Sequence, residues 1–182
     1  MKKRWSEKIT DYLIVNETVS EEDRELYEFG IRETIAILQN LLCTVFIALL
    51  FGKIVETIYF LCAFIILRSF AGGFHASSEL KCFICSLFLI VLVEHIFVLV
   101  SINKILMFCW IIANYIIISY APIESKNKPI SISERVNYRY RVRCILLVEA
   151  IVVFVQTIAA SIKMAIIISV IAEAILILLA KK

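Results

Sequence analysis

A chain of 182 residues that is 62% hydrophobic and 19% charged, with a mean hydropathy of +0.92, has too little interior to hide its apolar side chains from water. That balance excludes an ordinary soluble domain and makes lipid the natural solvent. The formal net charge of +3 is modest, and its placement carries more information than its size.

Four glycines and two prolines leave few turn signals, and the apolar runs are continuous rather than alternating. A β-barrel is therefore disfavoured. Within hydrocarbon each backbone amide must be paired inside its own segment, so long apolar runs predict helices. The fold class is all-α: a polytopic membrane helical bundle with about six membrane segments and an N-terminal amphipathic interfacial helix. Most of the six cysteines lie inside apolar runs, where they read as small packing residues rather than disulfide partners.

In chain order, residues 1–33 are charged and lack the apolar core of a cleavable signal. Trp5, Ile9, Tyr12 and Leu13 recur at helical spacing between charged residues, a pattern that fits a helix in the headgroup layer. Ser20 followed by Asp23 predicts the capped start of a second helix. Apolar segments follow at 34–51, 54–70, 83–102, 105–121, 143–161 and 164–180, against a requirement of roughly 20 residues per span. The second is the weakest, because Glu56 and Arg68 shorten it, and a tilted or partly re-entrant helix is expected there. The chain divides at 33/34 into an interfacial segment and a membrane domain.

Only Lys53, Lys104 and Lys163 of the 19 Lys and Arg residues fall at one set of alternate connections, and the other 16 fall at the opposite set. The positive-inside rule puts both termini, and the loop after the second segment, in the cytoplasm.

That loop carries the chemistry. In Arg68-Ser-Phe-Ala-Gly-Gly-Phe-His75-Ala-Ser-Ser-Glu-Leu-Lys-Cys82 the apolar pattern stops, two glycines appear, and a histidine and a cysteine follow. A cysteine attacks as its thiolate, so it needs a base or a cation nearby. Histidine can take the thiol proton and return it to a leaving amine. On one continuous helix residues seven apart would stand roughly 10 Å apart along the axis, too far for a hydrogen bond. A working pair therefore requires the chain to turn back, for which Gly72 and Gly73 are suited. Cys82 would then open the third segment at a helix N-terminus, whose partial positive charge favours an anionic sulfur. Read from the residues alone, a histidine near a cysteine at a membrane boundary is more often an interfacial and a packing residue.

The run from Arg68 through Gly72-Gly73 to His75 and Cys82 resembles the accessory gene regulator protein B (AgrB) family. So does the loop Ala121-Pro122-Ile-Glu-Ser-Lys-Asn-Lys-Pro129 with the basic stretch after it. The amphipathic beginning, the length and the apolar segments agree as well. The resemblance implies an integral membrane cysteine endopeptidase of the bacterial cytoplasmic membrane. It implies a substrate too, a small AgrD-type propeptide that is trimmed at its C-terminal part and closed into a thiolactone or lactone for quorum sensing. It puts the catalytic histidine on His75 and the nucleophile on Cys82, with Arg68 and Gly73 in support. The family's propeptides end in an acidic tail, which the basic loop with Lys126, Lys128, Arg135 and Arg139 is suited to hold.

Other readings stand beside this one. Cys82-Phe-Ile-Cys85 is a CxxC that would suit thiol–disulfide exchange, although the remaining cysteines lie in or at the edge of spans. A non-enzymatic transporter or scaffold would use His75 and Cys82 for packing only. Glu94-His95, Glu149 and Glu173 lie inside spans, where ionisable groups must face protein or water. Bundle packing is the expected role for all of them, and a homodimer would help to bury them. Neither a metal nor another cofactor is implied, and the basic cluster is too short and too close to the membrane to suggest nucleic acid.

Overall fold

The computed structural model describes residues 2–16, 18–74, 78–124 and 131–181. Seven α-helices occur among them: α1 (Lys2–Val15), α2 (Arg24–Phe51), α3 (Ile54–Ala71), α4 (Glu79–Leu99), α5 (Lys104–Tyr120), α6 (Ile132–Phe154) and α7 (Ala160–Ala180). Four of these, α2, α3, α4 and α7, are long and apolar enough to cross a membrane, and α5 is a shorter apolar helix. The protein is a helical membrane protein. The first half of α6 carries Glu134, Arg135, Arg139, Arg141 and Arg143, which is why it falls outside that class although its second half is apolar.

Every expected apolar segment is helical over most of its length, with shifted ends. α2 starts at Arg24, runs unbroken through residues 33 and 34, and is preceded by a 3-10 turn over Glu21–Asp23. Ser20 does sit at the opening of that turn, but its hydroxyl donates to the Asp23 carboxylate (2.8 Å) rather than accepting a backbone N–H. The fifth segment ends early. α6 stops at Phe154, and the polar Gln156 and Thr157 lie in the turn before α7. α3 is one continuous helix because both charges that weaken it find partners. Lys53 pairs with Glu56 at its start (3.1 Å), and Arg68 pairs with Glu173 near its end (3.3 Å).

α7 is the central helix, with eleven buried residues, and α3 and α5 pack along it. Two apolar clusters flank it. One joins Leu67, Trp110, Ile117, Val142, Ile167 and Ile177 across α3, α5, α6 and α7. The other joins Phe60, Ile90, Val93, Phe97, Ala165 and Ile168 across α3, α4 and α7. Ala165, Ser169, Ala172 and Ala174 on α7 let neighbouring backbones approach closely, the means by which membrane helices gain contact when lipid supplies no hydrophobic drive. Leucine and phenylalanine on the outer faces of α2 and α4, such as Phe46, Leu50 and Phe88, remain exposed for lipid.

α1 folds back on α2. Arg24 reaches Asp11 (2.7 Å) and Glu21 (2.6 Å), tying the two helices together at that end. The buried face of α1 is Ser6 and Thr10, whereas Trp5, Tyr12 and Val15 are exposed. Of the apolar residues picked out by their spacing, Trp5, Ile9 and Tyr12 therefore face outward and Leu13 is half-buried, while the fully buried positions are small hydroxyl residues.

This arrangement makes α7 the most sensitive element. Ile167→Ala at its fully buried centre should lower the unfolding free energy by about 2–5 kcal/mol. Leu50→Ala on the outer face of α2 should change it by about 0.5 kcal/mol or less. Denaturant titration of the detergent-solubilised protein, followed by circular dichroism, measures both.

Candidate functional site

The site is built where α3 ends and α4 begins. Arg68 lies in the last turn of α3, where a cation complements the exposed carbonyls of the helix end. The helix closes with the Gly72 N–H on the Arg68 carbonyl (3.0 Å). Gly72 then takes φ 73° and Gly73 φ 141°, conformations that L side chains rarely adopt. Space reinforces the requirement at both positions. A Cβ on residue 72 would collide with the carbonyl oxygen of Ile123. One on residue 73 would stand 2.5 Å from Arg68 Nη1 and 3.4 Å from Glu173 Oε1.

Two backbone clips hold this turn. Ile123 N–H donates to the Ala71 carbonyl (2.9 Å), which docks the α5–α6 connection on the glycines. Phe74 N–H donates to the Leu176 carbonyl near the end of α7 (3.1 Å). Arg68 closes the arrangement with its fork. Nη2 donates to the Phe74 carbonyl (2.6 Å) and Nη1 to Glu173 Oε2 (3.3 Å). The Glu173 side chain is 0% exposed, so its charge is balanced from within the bundle by Arg68.

α4 opens at Ser78, whose hydroxyl oxygen accepts from Lys81 N–H (3.3 Å). Cys82 follows in the first turn, and its own N–H is taken by the Ser78 carbonyl (2.9 Å). That amide is thus already engaged, which leaves the N–H groups of Glu79 and Leu80 as the helix-start donors. Half-buried Cys82 lines a cavity of about 130 Å³ together with Arg68, Phe74, Cys85, Ser86 and Leu176.

Of the residues singled out by the sequence, Arg68, Gly72, Gly73 and Cys82 come together here. His75 lies outside the described residues, as do Lys126 and Lys128. Arg135 is paired with Glu124, Arg139 is exposed on α6, and neither lines the Cys82 cavity. The basic start of α6 is nevertheless anchored at this end of the bundle. Tyr138 meets Phe70 edge-on (5.8 Å between ring centroids), and the Arg141 guanidinium lies 5.0 Å from the same ring. Lys181 Nζ sits 3.5 Å over the Tyr120 ring. Cys85, the second cysteine of the CxxC, shares the cavity with Cys82, and all six cysteines are free thiols.

Glu173 and Ile123 were missed as site residues. The signal for Glu173 was present as one uncompensated acid in the last span and one uncompensated base, Arg68, in the second. Glu94 and His95 take separate partners. Glu94 accepts from the Thr57 hydroxyl, whereas His95 Nδ1 lies 2.8 Å from the Val91 carbonyl and its ring packs on Phe51.

A helical membrane protein with a cysteine at a helix start, in a cavity walled by an ion-paired arginine and the residue just past a two-glycine turn, is the class that fold and site define. Residues 6–177 match the family model for accessory gene regulator B, and the chain belongs to that family. A protein of Clostridium perfringens strain SM101 named as AgrB-like is 28% identical over 138 residues, covering 71% of this chain and 63% of its own. A second AgrB-like protein, from C. perfringens strain 13, is 25% identical over 124 residues, covering 63% of this chain and 57% of its own. The chain thus spans about three fifths of the length of the curated relatives it matches. No solved structure matches it.

The steric argument predicts opposite outcomes for two alanine substitutions. Gly72→Ala must accept a left-handed backbone and a collision with Ile123, and should cost about 1–3 kcal/mol of stability. Gly30→Ala, inside α2 with open space around it, should be neutral or stabilise by up to about 1 kcal/mol. Thermal unfolding of the purified variants in one detergent compares them directly.

Proposed function

We propose that this chain is a membrane cysteine endopeptidase that trims a small AgrD-type propeptide and cyclises the remainder into a quorum-sensing signal. The observation that carries the proposal is the cavity in which Cys82, at the start of α4, faces the wall formed by Arg68 and Phe74. Phe74 is the residue immediately before His75, so the histidine follows the cavity wall directly in sequence. Arg68 and the N-terminal end of α4 both bring positive charge to the cavity that Cys82 lines.

In the proposed reaction the Cys82 sulfur attacks the carbonyl carbon of the peptide bond before the propeptide's C-terminal segment, and His75 takes the thiol proton. As the carbon–nitrogen bond breaks, His75 returns that proton to the departing amine, and the trimmed peptide remains as a thioester on Cys82. The thiol or hydroxyl of a Cys or Ser within that peptide then attacks the thioester carbonyl. Cys82 leaves, regains a proton through His75, and the ring is closed. The first step gives up an amide for a higher-energy thioester. Departure of the released segment and exclusion of water from the small cavity draw it forward.

Attraction between an acidic propeptide tail and Lys126, Lys128, Arg135 and Arg139 supports substrate capture at the same end of the bundle. The 16-to-3 division of basic residues supports a cytoplasmic location for that end, in a bacterial cytoplasmic membrane. α1 is suited to the headgroup layer through exposed Trp5 and Tyr12, and residues 1–33 would serve as the interfacial part of the molecule. All six long helices would serve as membrane segments, with α5 packed on α7, α6 packed on α3, and apolar side chains of both exposed for lipid.

Co-expression with a propeptide of this class, followed by mass spectrometry, tests the reading. The wild-type chain should yield a released C-terminal segment and a ring lighter than the linear peptide by one water. Cys82→Ala should abolish both while inserting into the membrane at wild-type levels, and cleavage retained in that variant would end the proposal. Iodoacetamide near neutral pH should modify Cys82 faster than the other five cysteines, as read by peptide mass spectrometry. Equal rates would favour a scaffold.

A further inference from the structure

We infer that Glu173 is a positioning residue for the Cys82 site, acting through Arg68 to hold Phe74 and the two-glycine turn against the cavity. The inference rests on the peptidase reading for its meaning, but its geometry stands independently. Glu173 lies on α7, far in sequence from the catalytic stretch, and its side chain is fully buried. One arm of the Arg68 fork binds Glu173 Oε2 (3.3 Å), and the other binds the Phe74 carbonyl (2.6 Å). A guanidinium can make both contacts at once because its donors diverge from a rigid plane. The same side chain forms part of the wall facing Cys82.

Without Glu173 the guanidinium would be left with the Phe74 carbonyl and the Phe64 ring, 5.9 Å from Cζ, but neither is an anion that could balance its charge. A long cationic side chain without that balance moves its head toward the headgroup layer. The Phe74 carbonyl would lose its donor, and the cavity would lose its charged wall. Gly73 belongs to the same device, since a Cβ there would occupy the position of Nη1. The acid on α7 thus sets the place of the arginine, and the arginine sets the place of the chain entering His75.

Two reagents of similar size separate positioning from simple charge balance. Iodoacetate is anionic and iodoacetamide is neutral, so the ratio of their rates at Cys82 reports positive charge beside the sulfur. The full-length protein in membranes is treated with each, and modification of Cys82 is followed by mass spectrometry. Positioning predicts that Glu173→Gln lowers the iodoacetate-to-iodoacetamide ratio by about threefold or more, as loss of a nearby charge requires. Arg68→Gln should lower it equally, and the double variant should go no lower. If Glu173 only balances charge, Glu173→Gln removes a negative group from beside a stationary arginine and the ratio rises. A rise, or no change, overturns the inference, as does a double variant whose fall is the product of the two single ones.

Should Glu173→Gln fail to fold, Gly73→Ala displaces the same arm without altering charge and should give the same fall. An unchanged ratio there is equally fatal. Because both readouts are alkylation rates, they decide the role of Glu173 even if no propeptide is cleaved, whereas failure of cleavage alone bears on the peptidase reading.

Discussion

A guanidinium inside a lipid-embedded bundle must be given partners, and the way Arg68 is given them organises the functional end of this molecule. One arm meets a fully buried carboxylate on α7 and the other a main-chain carbonyl just past the end of α3. Hydrocarbon offers neither water nor counter-ions, so once the two charged groups are brought to this depth each needs the other. The pair also ties α3 to the central helix at the place where the chain leaves it. A turn that would otherwise hang from the end of a helix is held at Arg68, Leu176 and Ile123 together.

The glycines follow from that constraint. Gly73 makes room for the arginine fork, and Gly72 makes room for the carbonyl of Ile123. The second motif, beginning at Ala121, is thereby brought against the first, and the basic start of α6 comes with it through Phe70. Two stretches separated by some fifty residues of sequence form one surface, with a cysteine-lined cavity beside it. The same economy of charge operates elsewhere: Lys53 answers Glu56, and Thr57 answers Glu94. In each case a polar group in an apolar helix is met by a neighbour, and the helix continues without a break.

Membership of the accessory gene regulator B family and the local geometry point the same way while resting on different grounds. The family match covers nearly the whole chain, whereas the geometry concerns a handful of residues around α3, α4 and α7. The family resemblance puts the nucleophile on Cys82 rather than on Cys85, one turn further along the same cavity wall. Position agrees, because Cys82 lies in the first turn of α4, nearest the amide end of the helix. Catalysis through Cys82 is the reading that uses both kinds of support.

Composition and period were enough to specify helices in lipid, because continuous apolar runs with so few glycines and prolines have no other way to satisfy their backbones. The grouping of Arg68, the glycine pair and Cys82 was legible because polar residues interrupt an apolar pattern only where something requires them. Tertiary structure decided the rest. Glu173 read as one more buried acid until α7 packed against α3, since an ion pair across 105 positions leaves no trace in local spacing. The face of α1 that packs inward was likewise invisible, because small hydroxyl residues such as Ser6 and Thr10 signal contact only once a neighbouring helix is present. Periodicity records which residues share a face; which faces meet depends on the shapes and charges that the other helices bring.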